Sequence, residues 1–547
     1  MNNRSIQLVL LICISLVAFT ARNGVRVEDI VETRNLTSAR EMLQKHKWFE
    51  PTMNGELRFE KPPLPTWITA ATMHFVGEDN LSLLRWPAAL AGLLLVIFTF
   101  LLAELLSENK QLPLLAGGIV ATSFFVFTQS RNVGWDIFCN SFMIGAIYLI
   151  HKGFKKDGGA IAEFMGAGIL MGLSFMSKGP VAFYALLFPY LIARFATIGC
   201  GGFKDKRLAI GIMILITIVL SGWWPLKIAL TYPEISKIAA QKELSARLFQ
   251  FNRPFYHYWN FFILSGVWSI MAFIALFYPY AKKRIEKYLP YKFLFVWIIS
   301  AVILLSLIPE KVERFLLPVY IPLAILVAGY FQYLTQIFKQ EGFSVLDTIA
   351  LRFNALLMGT ICFFTPFALL LFLKSELQPK GITLFLIFAF FWIIAFVFGL
   401  AYLRRNGYFL WSAMVGMVLS ICILILPWAE TVTFTNTEFR SYKLLKDKKE
   451  LAAVPFYYDG ILTKAIIIVV WHSGHEIKGW NPKVATNFPV ALPILLLSNE
   501  EPSKSLPDSI LNNYQIEVIG HFDQNRYPKL GHDKVLANYA ILIDEKK

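Results

Sequence analysis

The feature that most constrains this chain is a long series of apolar stretches, each about as long as a membrane span. A transmembrane helix needs about 20 predominantly apolar residues to cross roughly 30 Å of hydrocarbon. The 547 residues are 56% hydrophobic and only 16% charged, which is too apolar for a soluble globular protein. The sequence therefore predicts an integral membrane protein with a mainly α-helical fold.

About thirteen stretches meet this criterion, with an error of one or two in the number. They lie at about residues 5–21, 82–106, 111–129, 133–151, 160–177, 180–197, 208–230, 259–281, 291–308, 315–338, 351–373, 381–403 and 408–428. The first stretch resembles a signal peptide, but it ends in an imperfect cleavage site, so we expect it to be retained as a helix. Residues 1–430 are thus predicted to form an all-α polytopic membrane domain.

The C-terminal residues 431–547 have the pattern of a small water-exposed α/β domain. Apolar runs at residues 465–471, 493–497, 516–519 and 539–543 are predicted to be strands, and the polar stretches between them leave room for helices. Because these runs are continuously apolar, we expect both faces of their sheet to be covered.

Basic residues in short loops predict the orientation. Four such loops fall on the same side of the membrane when the predicted spans alternate, and that side is expected to be the cytoplasm. They lie at residues 152–156, 194–207, 282–287 and 404–405. The N-terminus is then cytoplasmic, whereas the loops at about 22–80 and 231–257 and the C-terminal domain lie outside.

Charge and cysteine content exclude several partners. The formal net charge of +15 belongs to the membrane part, which favours membrane lipids over nucleic acid as partners. The five cysteines include no CxxC pair, so neither a disulfide framework nor a metal knuckle is predicted. No cofactor is predicted, and the participation of a divalent ion is left open.

The first outer loop contains the most specific motif, Glu-Lys-Pro-Pro-Leu at residues 60–64. Two prolines stiffen the backbone, so Glu60 and Lys61 are predicted to stand on a rigid arm that suits the binding of a phosphate. The alternative is a proline-rich linker with solvated charges. Upstream, residues 32–45 have the spacing of an amphipathic helix on the membrane surface, with Glu32 at its N-terminal end.

Other ionisable residues stand at the outer ends of predicted spans. Asp136 begins the fourth span, Lys178 lies between the fifth and the sixth, and Lys311 and Arg314 precede the tenth. Such charges cost about 2.5 to 3.5 kcal/mol each in a membrane, so they normally pair or line a wet cavity. Their predicted position on one side of the membrane indicates a shared site.

Simpler roles are open for two of these residues. Lys178 could cap the end of its helix, and Arg314 could form a surface ion pair with Glu313 or Glu310.

The residue types fit group transfer from a lipid phosphate. The leaving phosphate gains charge as its bond breaks, and fixed Lys and Arg side chains stabilise that charge. The acceptor hydroxyl must lose a proton, which requires a carboxylate as base. The sequence contains neither a P-loop nor a GxGxxG motif after a strand, which disfavours a nucleotide-sugar donor.

In the order of its motifs, the chain resembles the polyprenyl-phosphate-sugar-dependent glycosyltransferases of the type C fold. It is most similar to the branch with the lipid A aminoarabinose transferases and, more distantly, to the protein O-mannosyltransferases of glycosyltransferase family 39. The matching segments are residues 31–34 (Val-Glu-Thr-Arg), 39–43 (Ala-Arg-Glu-Met-Leu), 54–55 (Asn-Gly), 59–64 (Phe-Glu-Lys-Pro-Pro-Leu), 85–87 (Arg-Trp-Pro), Asp136, 177–180 (Ser-Lys-Gly-Pro) and 309–318 (Pro-Glu-Lys-Val-Glu-Arg-Phe-Leu-Leu-Pro).

The resemblance implies an inverting transfer of one sugar from a polyprenyl phosphate to lipid A, another surface glycolipid or a protein. The reaction is expected at the outer face of a bacterial inner membrane. The implied catalytic residues are Glu32 and Asp136, and Glu60 and Lys178 are further site residues. The implied ligands of the donor phosphate are Lys61, Arg34, Arg247, Lys311 and Arg314.

Two departures from the family affect these assignments. Better-known members carry an Asp-Glu pair in the first loop, and here Val31 stands at the first position, so Asp29 is an alternative to Glu32 as base. An aromatic hydroxyl near the tenth span is replaced by Phe315.

Two other classes of function remain as alternatives. A lipid or polysaccharide transporter typically has inverted repeats and helices broken near the bilayer midplane, whereas this chain gathers its ionisable residues at one face. A catalytically inactive relative that binds lipid as a scaffold is the second alternative.

Overall fold

A computed structural model describes residues 3–25, 29–199, 201–249, 253–338, 344–373, 378–426, 436–485, 487–527 and 533–546, without the side chains of residues 246–249. The chain forms two compact units. The first comprises Met1–Gly24, Phe59–Ile68 and Asp79–Pro427, and the second comprises Val25–Arg58, Thr69–Glu78 and Trp428–Lys547. The predicted division at residue 430 assigned the whole first loop to the membrane domain, whereas this grouping joins most of that loop to the C-terminal residues.

The first unit is built from helices. Its α-helices are Arg4–Thr20, Leu81–Leu84, Trp86–Leu106, Leu112–Ala121, Phe124–Gln129, Asp136–Lys155, Ile161–Lys178, Phe188–Thr197, Arg207–Thr231, Pro233–Phe249, Ser269–Leu276, Tyr278–Ile285, Tyr291–Leu307, Leu317–Ile337, Val345–Phe372, Gly381–Arg404 and Gly407–Ser420. Shorter 3₁₀ or π turns occur at Phe183–Leu187, Phe255–Tyr258, Ile263–Trp268, Glu313–Leu316 and Ile421–Ile425. The helix Leu64–Val76 begins in the first unit and ends in the second.

Eight helices or consecutive helical segments in the described part are long and apolar enough to cross a membrane, and four further apolar helices are shorter. Each predicted apolar stretch coincides with one helix or with consecutive helices, which confirms a multispanning helical membrane protein. The number of thirteen crossings stays a prediction.

Burial separates a central helix from peripheral ones. In the span Glu313–Ile337, 94% of the 18 most apolar consecutive residues are buried, compared with 22% in Val345–Phe372. A helix that is apolar on all sides is buried or faces lipid. The helix Leu317–Ile337 therefore forms the core of the first unit, and the loop that carries Lys311 and Arg314 leads directly into it.

The second unit contains two sheets. A small hairpin pairs β1 (Thr52–Met53) with β2 (Glu56–Leu57), and a five-stranded sheet contains β3 (Phe456–Tyr458), β4 (Ile477–Gly479), β5 (Ile494–Ser498), β6 (Tyr514–Asp523) and β7 (Ala537–Glu545) in the order β4-β3-β5-β7-β6. Strands β4 and β5 run parallel to β3, whereas β7 is antiparallel to β5 and to β6. The helical segments are Ile30–Lys45, Lys443–Lys446, Lys449–Leu451, Ile466–Ser473, Pro502–Ser505, Asp508–Asn513 and Lys534–Leu536.

Both faces of the large sheet are covered, as predicted. Along β3, Phe456 and Tyr458 belong to one apolar cluster and Tyr457 to another, because successive side chains point to opposite faces. This alternation continues along β5, where Leu495 and Leu497 share the first cluster. The small α/β domain with a covered sheet is confirmed.

One predicted strand is wrong. Residues 465–471 were expected to form a strand because they are rich in β-branched residues, but the structure has the helix Ile466–Ser473 there. Short apolar runs do not distinguish a buried helix from a buried strand. The helix is buried in its unit and connects the parallel strands β3 and β4, a connection that normally requires a crossover helix.

The first-loop helix Ile30–Lys45 confirms a helix at the predicted position, but its polar side is buried as well as its apolar side. Arg40 donates hydrogen bonds to the carbonyl oxygens of Trp471 and Val470 at 2.9 and 2.8 Å, at the C-terminus of the helix Ile466–Ser473. A cation is favourable at that end of a helix. These contacts explain the burial of the polar side, and the placement of this helix on a membrane surface stays a prediction.

The Asn-Gly turn of the β1–β2 hairpin contacts both the helix Ile30–Lys45 and strand β4. Asn54 and Gly55 have φ values of +56° and +81°, which suit a two-residue hairpin turn. The Glu41 carboxylate accepts hydrogen bonds from the Thr52 hydroxyl and the Asn54 backbone N–H, both at 2.6 Å. The Asn54 side chain also exchanges two hydrogen bonds of 2.7 Å with the backbone of Ile477 in β4.

Candidate functional site

A buried carboxylate in the first unit lies where two helices bring their ends together. Asp136 is the first residue of the helix Asp136–Lys155, a position at which a negative charge is favoured. Lys178 is the last residue of the helix Ile161–Lys178, which packs against the helix Asp136–Lys155. Gly179, with φ of +74°, follows it as the C-cap. Because the two helices run in opposite directions, the start of one meets the end of the other.

Asp136 contacts two cations. The Lys178 ammonium group donates a hydrogen bond to Asp136 Oδ1, and the Arg314 Nε lies 3.7 Å from Asp136 Oδ2. Asp136 and Lys178 are only 3% and 7% exposed. The Lys178 ammonium nitrogen is also 5.0 Å from the centre of the Phe315 ring, within the range of a cation–π interaction.

These contacts decide between the roles that the sequence left open. The Lys178 side chain forms a buried ion pair, and the residue that closes its helix is Gly179. Arg314 pairs with Asp136, whereas Glu313 pairs with Arg253 at 2.5 Å. Lys178 is therefore not a helix cap, and Arg314 does not form a surface ion pair with Glu313.

One side of this cluster has unused hydrogen-bonding capacity. Within the part of the chain that the structure describes, Asp136 Oδ2 and Arg314 Nε are both buried and have no hydrogen-bond partner. Their separation of 3.7 Å is longer than a hydrogen bond. Lys61 lies close enough for its charge to act on Asp136 as well. The arrangement leaves an arginine donor available beside several positive charges, as an anionic ligand requires.

The loop before the central helix holds a further lysine. Lys311 is buried, and its ammonium group donates a hydrogen bond of 2.8 Å to the carbonyl oxygen of Ile308. Burial lowers the pKa of Lys311. The Tyr258 hydroxyl fixes this loop, since it donates to the Val312 carbonyl at 3.0 Å and accepts from the Val312 N–H at 2.8 Å.

The Glu-Lys-Pro-Pro arm pairs with the helix Pro233–Phe249. Lys61 pairs with Glu243 at 2.6 Å, and Lys242 pairs with Glu60 at 2.8 Å. Both partners lie on the helix Pro233–Phe249. Glu60 and Lys61 are therefore each paired with a residue of opposite charge on this helix. The alternative of a linker whose charges are only solvated does not fit these contacts.

Lys242, Glu243 and Arg253 are contacts that the sequence did not reveal. They lie in the stretch 231–257, which was treated as a loop, and only the alternating charges in Gln-Lys-Glu-Leu at residues 241–244 could have indicated partners for residues 60–61. Ion pairs between such distant segments depend on tertiary structure and not on local pattern.

The remaining predicted site residues lie on two other helices. Glu32 is buried and Arg34 is half-buried on the helix Ile30–Lys45 of the second unit. Asp29 accepts a hydrogen bond of 3.0 Å from the Val31 N–H and so caps that helix. Arg247 lies on the helix Pro233–Phe249, and its side chain is outside the described residues. Their roles in catalysis stay predictions.

Within the described ranges, no group of three or more His, Cys, Asp and Glu side chains is arranged to hold a metal ion. The four cysteines in those ranges, Cys13, Cys139, Cys362 and Cys422, are free thiols. Whether a divalent ion takes part stays open.

Comparisons with known proteins agree with this geometry. Residues 60–224 match the dolichyl-phosphate-mannose-protein mannosyltransferase family. An uncharacterised protein of Aquifex aeolicus is 29% identical over 62% of this chain and 69% of its own length. An undecaprenyl phosphate-alpha-4-amino-4-deoxy-L-arabinose arabinosyl transferase of Pectobacterium carotovorum is 26% identical over 64% of this chain and 63% of its own length.

A solved structure extends the similarity to the whole fold. The crystal structure of ArnT from Cupriavidus metallidurans bound to undecaprenyl phosphate superposes with a TM-score of 0.67, covering 99% of this chain and 98% of that one at 14% identity. The chain thus has the type C glycosyltransferase fold. The predicted resemblance to this superfamily, the class of enzyme and the multispanning helical fold are confirmed.

Proposed function

We propose that this protein transfers a sugar from a polyprenyl-phosphate donor to lipid A, another surface glycolipid or a protein acceptor. The main support is the cluster in which Asp136 contacts Lys178 and Arg314, with the charge of Lys61 close by. The matches to polyprenyl- and dolichyl-phosphate-dependent transferases support the same donor chemistry.

The cations of the cluster are proposed to bind the donor phosphate. Arg314 offers a buried N–H beside the carboxylate, and Lys61 supplies an ammonium group on a rigid arm. Lys311 adds a third positive charge from the loop before the central helix. Such fixed donors stabilise the charge that develops on the leaving phosphate, and they do so best in a site shielded from water.

The two acidic candidates are proposed to have different roles. A carboxylate that is ion-paired with two cations is stabilised in its ionised form and is a poor proton acceptor. Asp136 is therefore proposed to position Lys178 and Arg314. Glu32, or Asp29 in its place, is left as the base that takes the proton from the acceptor hydroxyl.

The proposed reaction is a single displacement. The acceptor oxygen attacks the anomeric carbon while the bond from that carbon to the phosphate oxygen breaks, and the configuration inverts. The electron pair of the broken bond passes to the polyprenyl phosphate, and the acceptor proton passes to the carboxylate base. Lys61 and Arg314 act on the leaving oxygen atoms, where the new charge appears.

The orientation is proposed from the basic loops. The N-terminus is assigned to the cytoplasm and residues 431–547 to the periplasm, with the protein in the bacterial inner membrane and the reaction at its outer face. A reporter enzyme that is active only in the periplasm, fused after Lys547, should be active. Activity of a cytoplasm-specific reporter at that position would reverse the assignment.

One assay tests the proposed activity. The purified protein in lipid nanodiscs is incubated with a labelled polyprenyl-phosphate-linked sugar and a membrane lipid extract as acceptor, and release of polyprenyl phosphate is measured. Arg314→Ala and Glu32→Gln should sharply reduce release, and thermal unfolding of each variant shows that the fold is retained. Lys287→Ala, which removes an exposed lysine of an inner loop, is the matched control.

The alternatives give different outcomes in this assay. Donor binding without bond cleavage would support a lipid-binding scaffold. Movement of intact donor across the bilayer of a proteoliposome would support a transporter. Release that persists in Arg314→Ala would contradict the proposed phosphate site.

A further inference from the structure

A groove runs between two peripheral helices of the first unit. Helix A is the segment Val345–Phe372, and helix B is the segment Gly381–Arg404. Both are long and apolar enough to cross a membrane, yet only 22% and 28% of their 18 most apolar consecutive residues are buried. An apolar surface of this kind faces lipid in a membrane protein.

The two helices run in opposite directions, and aromatic contacts join them at two levels. Near the start of helix A, the guanidinium carbon of Arg352 lies 4.9 Å from the centre of the Tyr402 ring, which is near the end of helix B. Further along, the rings of Phe363 and Trp392 stack with their centres 5.6 Å apart. The groove extends between these levels.

The groove has two connected parts. The first has a volume of about 440 Å³, and Arg352 and Tyr402 belong to its lining. The second has a volume of about 670 Å³ and includes Gly359 and Gly399. Leu356 and Tyr402 line both parts, so the two are continuous. The described residues that line the second part carry no charge, so it suits an apolar ligand.

Gly399 borders the open space of the groove. Among the described residues, a Cβ atom built on Gly399 meets no atom of another helix within 4 Å, whereas one built on Gly359 lies 3.1 Å from the Phe398 side chain. The space beside Gly399 is therefore groove and not packing between the helices. A larger side chain at this position fills the groove without displacing protein atoms.

Arg352 places a positive charge at one end of the groove. Within the described part of the chain, it forms no ion pair, and its buried Nε has no hydrogen-bond partner. Asp347 on the same helix is buried elsewhere, where it accepts hydrogen bonds from Arg284 Nε at 2.9 Å and from the Tyr333 hydroxyl at 2.8 Å. A charge in a membrane span is costly unless it is paired, so an anion is favoured beside Arg352.

Tyr402 keeps the guanidinium group at the groove. Stacking on an aromatic face leaves the N–H groups of an arginine available in the plane of the guanidinium. Side chains on a helix lean toward its N-terminus, so Arg352 leans toward Thr348, one turn earlier. Thr348 lines the same part of the groove and carries a hydroxyl donor. A phosphate group can accept hydrogen bonds from both side chains.

This end of the groove is remote from the cluster around Asp136. Arg314 precedes the central helix Leu317–Ile337, whereas Tyr333 near the end of that helix bonds Asp347 at the start of helix A. The central helix has 21 residues, which rise about 30 Å. Arg352 therefore lies at the opposite end of the helical unit from Arg314.

The length of the groove fits one acyl chain. Its lining on helix A extends from Arg352 to Phe364, which is roughly 18 Å of helix. Half of the hydrocarbon core of a bilayer is roughly 15 Å thick. A lipid with its phosphate at Arg352 therefore has one chain along the whole groove.

We propose that this groove binds a membrane phospholipid, with its phosphate on Arg352 and one acyl chain beside Gly399. Basic pockets between transmembrane helices bind lipid head groups in this way. The bound lipid is neither the sugar donor nor the acceptor, because the proposed phosphate site lies at the other end of the helical unit. The proposal holds whether or not the transferase reaction is as proposed above.

Native mass spectrometry of the delipidated full-length protein in detergent tests this proposal with three probes. The first is phosphatidylglycerol. The second is diacylglycerol with the same two chains, which lacks the phosphate, and the third is glycerol phosphate, which lacks the chains. One phosphatidylglycerol should bind saturably. The other probes should bind at least about ten-fold more weakly, because one loses a charged hydrogen bond and the other loses the burial of a chain.

Variants assign the binding to the groove. Arg352→Gln should weaken phosphatidylglycerol binding by about ten-fold, and Gly399→Leu by about three- to ten-fold. Arg207→Gln is the matched control for charge, since Arg207 is an exposed arginine at the start of the span Arg207–Thr231. Gly211→Leu on the same span is the matched control for size, because a Cβ there also meets nothing within 4 Å. Both controls should bind as the wild type.

Thermal unfolding of each lipid-free variant shows whether the fold is retained, and Gly399→Leu still decides the outcome if Arg352→Gln does not fold. Equal binding of the three probes, or equal binding by wild type, Arg352→Gln and Gly399→Leu, would overturn the proposal. Binding that is lost in Arg314→Ala and kept in Arg352→Gln would assign the lipid to the donor site instead.

A further outcome concerns a second copy of this chain. A change from dimer to monomer in Gly399→Leu, with lipid binding unchanged, would assign the groove to contact between two copies and overturn the proposal. Failure of donor turnover in the separate transferase assay would leave these results unchanged.

Discussion

The two polar sites of this molecule differ in the sign of their excess charge. In the first unit, Asp136 is buried against Lys178 and Arg314, with Lys61 acting from the arm. In the second unit, a polar cleft beside β3 and β5 has twice as many carboxylates as lysines, and Lys483 pairs with Glu500 at 3.2 Å. The carboxylates are those of Glu438, Asp459, Glu500 and Asp523, and the lysines are Lys483 and Lys534.

The difference reflects the surroundings of each site. A charge at the end of a membrane span is costly, so it is kept only when an opposite charge offsets it. A cleft outside the apolar spans can hold more carboxylates than lysines, because water that enters it screens their charge. Pairing in the first unit and excess charge in the second are therefore both expected, and each predicts a different response to mutation.

The largest effect is expected when the cluster loses a phosphate ligand. Arg314→Ala should lower kcat by about 10² to 10³, since the developing charge on the leaving phosphate loses a fixed donor. The measurement is release of polyprenyl phosphate in nanodiscs, with Lys287→Ala as control. A wild-type kcat in Arg314→Ala would show that the cluster takes no part in the chemical step.

The next effect tests the pairing itself. Lys178→Met leaves Asp136 buried with one cation fewer, and breaking a buried pair in this way destabilises by about 3 to 5 kcal/mol. Thermal or denaturant unfolding in detergent should show the loss. The double variant Lys178→Met with Asp136→Asn should recover much of the stability, since no uncompensated charge remains.

Equal stability of the single and double variants would mean that Asp136 is already compensated by other groups. The comparison of the two sites would then lose its main physical support.

A smaller effect is expected at the arm. Glu243→Gln removes the partner of Lys61, and a half-exposed ion pair contributes about 1 kcal/mol or less. Lys61 should then bind the donor phosphate more readily, lowering KM a few-fold with little change in kcat. Glu234→Gln, at an exposed position on the same helix, should leave KM unchanged. An increase in KM for Glu243→Gln would show that the pair positions the arm for binding.

The smallest effect concerns the cleft. Burial raises the pKa of the Asp459 carboxyl, so the folded state holds this proton more tightly than the unfolded chain. Its stabilising contribution is present below the ordinary pKa of about 4 and is lost as the pH rises toward the raised value. Asp459→Asn should therefore raise the unfolding midpoint of the second unit at pH 7 and change it little near pH 3.

A midpoint lowered at pH 7 would indicate that the Asp459 carboxylate stabilises the fold. In that case its ionised form, and not its burial, would dominate the local energetics.

The sequence predicted the membrane helices well because each is marked by a long apolar run. It also singled out Asp136, Lys178 and Arg314, since charges beside such runs stand out, and the structure brings these three side chains together. It failed at residues 465–471, where β-branched residues indicated a strand, and packing within the second unit favours the helix Ile466–Ser473. The partners Lys242 and Glu243 were missed because they are ordinary surface residues by composition.

The cleft could not be predicted from the sequence, for a related reason. Asp459, Asn499 and Ser505 meet only because β4 and β5 flank β3, and strand order cannot be deduced from the strands alone. No motif marks these residues, since each follows or lies near the end of a strand, where polar residues are common. Tertiary topology, and not local pattern, creates this site.

The central claim is that the cations around Asp136 bind the phosphate of the lipid donor. A cryo-electron microscopy structure of the protein in nanodiscs with polyprenyl phosphate tests it most directly. The account predicts phosphate density within about 3 Å of Arg314 and Lys61, with Lys178 still bound to Asp136. Phosphate density elsewhere, with these side chains unchanged, would contradict it.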